Sequence, residues 1–297
     1  MIEDSVVNPF PQQEDKRRSF KADFTRFLKR SPLAVIGIVI VAIMILIALT
    51  SQWIAPYDPI GVELNNKLLA PSAQHWFGTD DMGRDVFSRV LAGARVSLLS
   101  AFIIIGISIV VGTVIGVIAG YAGGWVDDIL MRLTDIFLAF PAFILAMAIS
   151  ATMGASLQNA LIAIASVWWP WYARLVRGQV LSIRNLEYVQ ASRTIGARAS
   201  RIIFKQILPN AFGPIIVQGT LDVGNAIMLT ASLSFIGLGA QPPTPEWGAM
   251  VSTGRLYFLS YWWVPTMPGL AIFLCVIGFN LLGDAIRDFM DVRERAL

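Results

Sequence analysis

Long apolar stretches constrain this chain more than any other feature. They run from Leu33 to Trp53, Val96 to about Gly120, about Leu133 to Ala151, Leu157 to Ala173, about Ala211 to Ile236, and Val264 to Leu282. A helix rises about 1.5 Å per residue, so about 20 apolar residues cross the roughly 30 Å hydrocarbon layer. The third and fourth stretches are contiguous and too long for one crossing; Met153-Gly154-Ala155-Ser156 supplies a turn between them. The expectation is an all-α, polytopic membrane protein with six transmembrane helices. The composition agrees, because 56% apolar residues against 14% charged ones suits a bilayer better than water.

The first stretch follows a long polar arm and is itself long enough to span, so it reads as a retained helix and not as a cleaved signal. Cytoplasmic flanks of membrane helices keep Lys and Arg. The N-terminal arm carries Lys16, Arg17, Arg18, Lys21, Arg26, Lys29 and Arg30, and the connection after the fourth stretch carries Arg174, Arg177, Arg184, Arg193, Arg198, Arg201 and Lys205. Arg287, Arg293 and Arg295 add a basic C-terminus, so both termini are expected in the cytoplasm. Arg84, Arg89 and Arg95 fall on the outer side, where Asp80, Asp81 and Asp85 are expected to pair with them. The expected organisation is a cytoplasmic arm over 1–32, a first helix with an outer segment over 33–95, a permease-like core over 96–287 and a cytoplasmic tail over 288–297. One cysteine, Cys275, and one histidine, His75, leave no disulfide and no metal-ligand set to build. His75 is expected on the surface of the outer segment.

The inner connection reads as helix, turn, helix. Gln190-Ala191-Ser192 is followed by Gly196 and then by Ile207-Leu208-Pro209. Small residues allow close approach to another surface, Gly196 permits backbone angles costly for other residues, and Pro209 suits the first turn of the next helix.

The segment YVQASRTIGARASRIIFKQILPN resembles the EAA signature of permease subunits in bacterial ABC importers. That resemblance implies a type I ABC importer permease fold and docking of Ala191, Ser192, Gly196, Ile207, Leu208 and Pro209 into a groove on a cytoplasmic ATPase subunit. Gln190 stands where the family most often has glutamate, so a charge-assisted contact becomes a neutral one. HWFGTDDMGRDVFSRVLAGARVSL, SLSFIGLGAQPPTPEWGAM and NLLGDAIRD resemble the C-type permease of dipeptide and oligopeptide importers. The implied partners are a B-type permease, two ATP-binding subunits, an extracytoplasmic substrate-binding protein and membrane lipid, with no nucleic acid. No cofactor is expected on this chain, ATP being used by the partner subunits. Members of the subgroup also carry nickel complexes, glutathione or opines.

Other constellations are legible from the residues themselves. Gly112, Gly116 and Gly120 line one helical face, which fits either a contact between moving helices or static packing. Gln218, Asp222 and Asn225 share a face. A carboxylate at bilayer depth costs roughly 2.5 to 3.5 kcal/mol on insertion scales, so Asp222 is expected to line a wet pathway or to meet an interhelical partner. The proline- and tryptophan-rich loop from Gly239 to Tyr261 fits anchoring at the membrane surface or, by the resemblance, docking of the binding protein. Asp284, Arg287 and Asp288 have helical spacing suited to local pairing, a trio that is most often a solvated helix end; by the resemblance, packing against the EAA loop is the alternative.

Three function classes follow: an ABC permease, an ion-driven secondary transporter and a non-transporting scaffold. No G-x-x-x-x-G-K-[ST] loop is present, so a separate ATPase is needed for ATP-driven transport and no enzymatic activity is expected here. The ordered inner loop favours the first class.

Overall fold

The computed structural model describes residues 27–28 and 31–294, and these fold into helices without a named strand. The basic residues expected to fix the side of the N-terminal arm lie outside the described residues, as does Arg295. In order, the helices are α1 (Pro32–Ile54), α2 (Val86–Ala122), α3 (Gly124–Leu138), α4 (Ala142–Met153), α5 (Leu157–Ile183) and α6 (Glu187–Thr194). After them come α7 (Ala199–Phe235), α8 (Trp247–Gly254) and α9 (Trp263–Glu294).

By length and apolarity, four helices among the described residues qualify as membrane spans: α1, α2, α7 and α9. A fifth is reached if α3 and α4 count as one broken span. The uninterrupted helix expected from Leu133 to Ala151 is corrected here, because α3 and α4 meet at 86°. Pro141 is the cause. It supplies no N–H and disfavours helical geometry at Phe140, so the chain turns before α4 begins. With 12 residues, α4 rises only about 18 Å and is too short to cross alone.

Helix α5 has 27 residues, a length of about 40 Å, yet it is less apolar than the qualifying spans. It is the hub of the bundle and packs on α2, α3, α4 and α7. A helix surrounded by other helices presents little surface to lipid and need not be uniformly apolar. The main core joins Leu98, Ile104, Ile164, Tyr172, Ile227 and Phe279 from four helices. Helix α1 lies at the periphery against α2 and α9, with Leu46, Leu49 and Trp53 exposed.

At the end of the bundle where α2 begins, the segment between α1 and α2 forms a polar knot. Asp85 caps α2, its Oδ2 accepting from Ser88 N at 2.7 Å and from the Ser88 hydroxyl at 2.8 Å. The expected surface histidine is corrected: His75 is only 6% exposed, with Nδ1 3.0 Å from Asp85 Oδ1 and its ring 4.8 Å from that of Tyr57. Burial follows because a capping carboxylate still has an oxygen to satisfy, and the imidazole supplies the donor. Arg84 reaches Asp80 at 2.7 Å and Asp81 at 3.7 Å, and Arg89 reaches Asp80 at 3.4 Å. Arg95 does not join them, contrary to expectation, because it lies further along α2 than the aspartates extend; it is exposed and has no hydrogen-bond or ion-pair partner among the described residues.

After α7, Trp247 and Trp263, the first residues of α8 and α9, are buried and not interfacial, donating from Nε1 to Val90 O at 3.0 Å and to Thr79 O at 3.3 Å. Trp262 is exposed. Glu246 is buried as the cap of α8, accepting from Gly248 N at 3.0 Å and Ala249 N at 2.8 Å. Asp284, Arg287 and Asp288 are exposed and make no ion pair among the described residues, as a solvated helix end does. In water, such a pairing is worth a few tenths of a kcal/mol, too little to hold three exposed side chains together.

Candidate functional site

The connection after α5 folds as a short helix, a tight turn and a helix that runs on into α7. Helix α6 ends in a Schellman turn: Ala197 N donates to Ser192 O at 3.0 Å and Gly196 N to Arg193 O at 2.9 Å. The turn needs a left-handed residue, and Gly196 has φ +78° with no atom within 4 Å of where a Cβ would sit. Ile195, beside it, is 84% exposed, an unusual position for a large aliphatic side chain.

The base of α7 is irregular. Residues Ile203–Ile207 form a π-helical turn, and Leu208 N donates to Ile203 O. Pro209 has no N–H to offer the carbonyl one α-turn back, and the wider turn is a local adjustment to that missing donor. Proline thus lies inside a continuous helix from Ala199 to Phe235 and not at the start of a separate one.

The loop is tied to the bundle from behind. Ile207 is fully buried in a cluster with Val189, Ile202, Val176, Val180 and Ile183, and Leu208 packs against it. Gln206 Nε2 donates to Ser192 Oγ at 2.7 Å, and Asn210 Nδ2 donates to Tyr188 Oη at 3.1 Å. The Arg193 guanidinium lies 4.9 Å over the Tyr121 ring, joining α6 to the end of α2. Gln190, Ala191, Gly196 and Pro209 remain exposed, Ser192 is half-buried, and Gln190 Nε2 donates only to Asn185 O at 3.3 Å. Of the residues singled out in the sequence, Ile207 therefore supports the loop internally, while Ala191 and Gly196 face outward. Ile195 and Phe204, both exposed, were not singled out; a large apolar residue beside an αL glycine was the available signal for Ile195.

Salt bridges brace the same end. Arg177 grips Asp127 with two bonds of 2.6 Å, and Arg174 reaches Asp135 at 2.6 Å. Arg184 donates to Gly120 O at 2.6 Å. Both carboxylates belong to α3, so the helix bent away from α4 is held to α5 by charge.

Deep in the bundle, Asp222 is 3% exposed and accepts from the Tyr172 hydroxyl at 2.8 Å, Gln218 Nε2 at 3.1 Å and Asn225 Nδ2 at 3.4 Å. The structure thus brings together the three polar residues sharing a face and adds Tyr172, for which the sequence held no signal. This is the geometry of an interhelical hydrogen bond between α5 and α7.

Gly112, Gly116 and Gly120 all face α5. An added Cβ at Gly112 would collide with Tyr172 Cβ, and those at Gly116 and Gly120 would lie 2.5 Å from Ala173 O and 2.8 Å from Val180 Cβ. Among the described residues, no group of three His, Cys, Asp or Glu side chains converges as a metal site requires.

Comparison with known proteins gives consistent matches. Residues 112–296 match the family described as the binding-protein-dependent transport system inner membrane component, and residues 19–71 match the N-terminal TM domain of oligopeptide transport permease C. The chain is 47% identical to the "Probable D,D-dipeptide transport system permease protein DdpC" of Escherichia coli (strain K12), covering 97% of this chain and 96% of that one. It is also 47% identical to the dipeptide transport system permease protein DppC of Alkalihalophilus pseudofirmus, over 91% of this chain and 88% of that one. The nickel transport system permease protein NikC of Escherichia coli (strain K12) is 45% identical over 86% and 92%. Among solved structures, an inward-facing MetNI methionine ABC transporter shares the fold with a TM-score of 0.55 at 20% identity, covering 68% of this chain and 97% of that one.

Proposed function

The chain belongs to the family of binding-protein-dependent transport system inner membrane components and is a permease subunit of an ABC importer, and on that premise we propose that it forms half of a pathway for dipeptides or oligopeptides and takes its driving force from a separate ATPase through the loop around Gly196. It resides in the inner membrane. The peptide class is supported by relatives named for dipeptide and D,D-dipeptide transport; nickel complexes and glutathione, named for other relatives, are the alternative cargo.

One observation carries the coupling role. The loop exposes Ile195 and the αL turn at Gly196, while Ile207, Ile202 and Val189 behind it are locked into the cluster of α5 and α7. An exposed apolar knob on a rigid base transmits force, whereas a loosely attached loop absorbs it. ATP can shift the bundle between states only if a partner binds the loop differently in each, and the connection to α7 carries that difference to the interior.

The proposed topology has six crossings with both termini cytoplasmic. Helix α5 supplies the crossing that apolarity alone does not identify, and the basic loop faces the ATPase. By the same reading, the full importer holds a second, B-type permease, two ATP-binding subunits and a substrate-binding protein on the outer side. This chain contributes no bond chemistry.

The test is uptake of labelled dipeptide by the complex reconstituted in proteoliposomes, with Gly196→Asp beside the native chain. ATP hydrolysis without uptake, or loss of the ATPase from the complex, is the expected result. Full uptake by the variant would reject the coupling role, and uptake driven by an ion gradient without ATP would favour a secondary transporter.

A further inference from the structure

Where α1 ends and α2 and α5 begin, an open cleft of about 840 Å³ lies between these helices and the loop at Thr244 and Pro245. Its wall is mostly aliphatic, including Leu99, Ile103 and Leu161, and Leu99 and Ile103 are exposed. Two charges sit on this apolar surface: the Arg95 guanidinium and the Asp58 carboxylate. The other two arginines of the region are held by Asp80, yet Arg95 has no partner among the described residues. Asp58 uses only Oδ1, which accepts from Ile60 N at 3.0 Å.

A cation on a membrane helix without an anion is costly, more so toward the bilayer centre. Arg95 lies roughly 14 Å along α2 from its start, where a long side chain reaches for headgroups. A phosphate suits a guanidinium by paired, charge-assisted hydrogen bonds. The nearby carboxylate repels a purely anionic headgroup and attracts an ammonium, and the aliphatic wall matches an acyl chain.

We propose that this cleft binds one phospholipid with an amine-bearing zwitterionic headgroup, its phosphate on Arg95, its ammonium on Asp58 and an acyl chain along Leu99, Ile103 and Leu161. The site rests on the chain being embedded in a membrane and does not depend on what the importer carries. It ties the end of α1 to α2 and α5 through the lipid, beside the direct packing of α1 on α2 and α9.

Native mass spectrometry of the full chain, alone and in its importer complex, tests this by titrating phosphatidylethanolamine, phosphatidylglycerol and inorganic phosphate. The native chain should retain one phosphatidylethanolamine. Arg95→Ala should weaken that binding about tenfold, equal to about 1.4 kcal/mol. Asp58→Asn should abolish the preference for phosphatidylethanolamine over phosphatidylglycerol, and Leu99→Trp, which fills the wall, should expel the lipid with both charges intact. Unchanged lipid affinity in both Arg95→Ala and Leu99→Trp, with unaltered thermal unfolding, would overturn the proposal. So would displacement of the lipid by inorganic phosphate, which would mean a simple anion site, or by another subunit in the complex, which would mean a protein interface.

Discussion

The Tyr172 hydroxyl donates to Asp222 Oδ2 at 2.8 Å across the interface of α5 and α7. The two residues are 50 positions apart, and their bond gives Asp222 Oδ2 a donor on another helix, while Oδ1 accepts from Gln218 and Asn225 on its own. Interhelical hydrogen bonds in membranes average about 0.6 kcal/mol, with about 1.7 as an upper value. A double-mutant cycle of Tyr172→Phe and Asp222→Leu, read by unfolding in detergent, should give a coupling energy of about 0.6 to 1.7 kcal/mol. Additive effects would show that the pair does not hold the helices together.

The glycine face of α2 admits a similar comparison within one helix. Gly112 has no room for a Cβ against Tyr172, whereas nothing lies within 4 Å of the Cβ position at Gly106. Gly112→Ala should destabilise by about 1 to 3 kcal/mol through overpacking, and Gly106→Ala should be neutral or stabilise by up to about 1 kcal/mol through helix propensity. Thermal unfolding of the two variants side by side decides the matter; equal shifts would mean the close approach of α2 and α5 is not a constraint.

At the loop, the bond from Gln206 to Ser192 links α6 to the π-helical base of α7. Ser192→Ala should cost about 0.5 to 1.5 kcal/mol locally. Hydrogen exchange of residues 187–194 should quicken while the bundle core keeps its protection. Equal acceleration throughout the protein would mean the loop does not open as a separate unit.

In the polar knot, Asp85 serves as the cap of α2 and the partner of His75. Asp85→Ala should lose about 1 kcal/mol for the cap alone and more for the stranded imidazole. Asp85→Asn keeps a capping oxygen and should lose less. Limited proteolysis between residues 55 and 85 provides the measurement, with cleavage fastest in the alanine variant.

Much of this architecture was legible because its causes are local. A backbone in lipid must satisfy its own hydrogen bonds, so apolar runs such as Leu33 to Trp53 announce helices without reference to any partner. The αL requirement at Gly196 is likewise a property of one residue, and the spacing of Gly112, Gly116 and Gly120 is a property of one helix.

What only the tertiary structure decided were the choices made between distant segments. Hydropathy carried the end of α3 and most of α4 as one run from about Leu133 to Ala151, yet the chain turns through 86° at Pro141, and Arg174 and Arg177 tie α3 to α5. His75 looked like a surface residue until Asp85 and Tyr57 closed over it. Asp222 had two readings, and Tyr172 gave it a partner. Periodicity along the chain determined which residues share a face, because helix geometry repeats every few residues; which face meets which depends on close packing among side chains far apart in sequence, and that is expressed only when the bundle assembles.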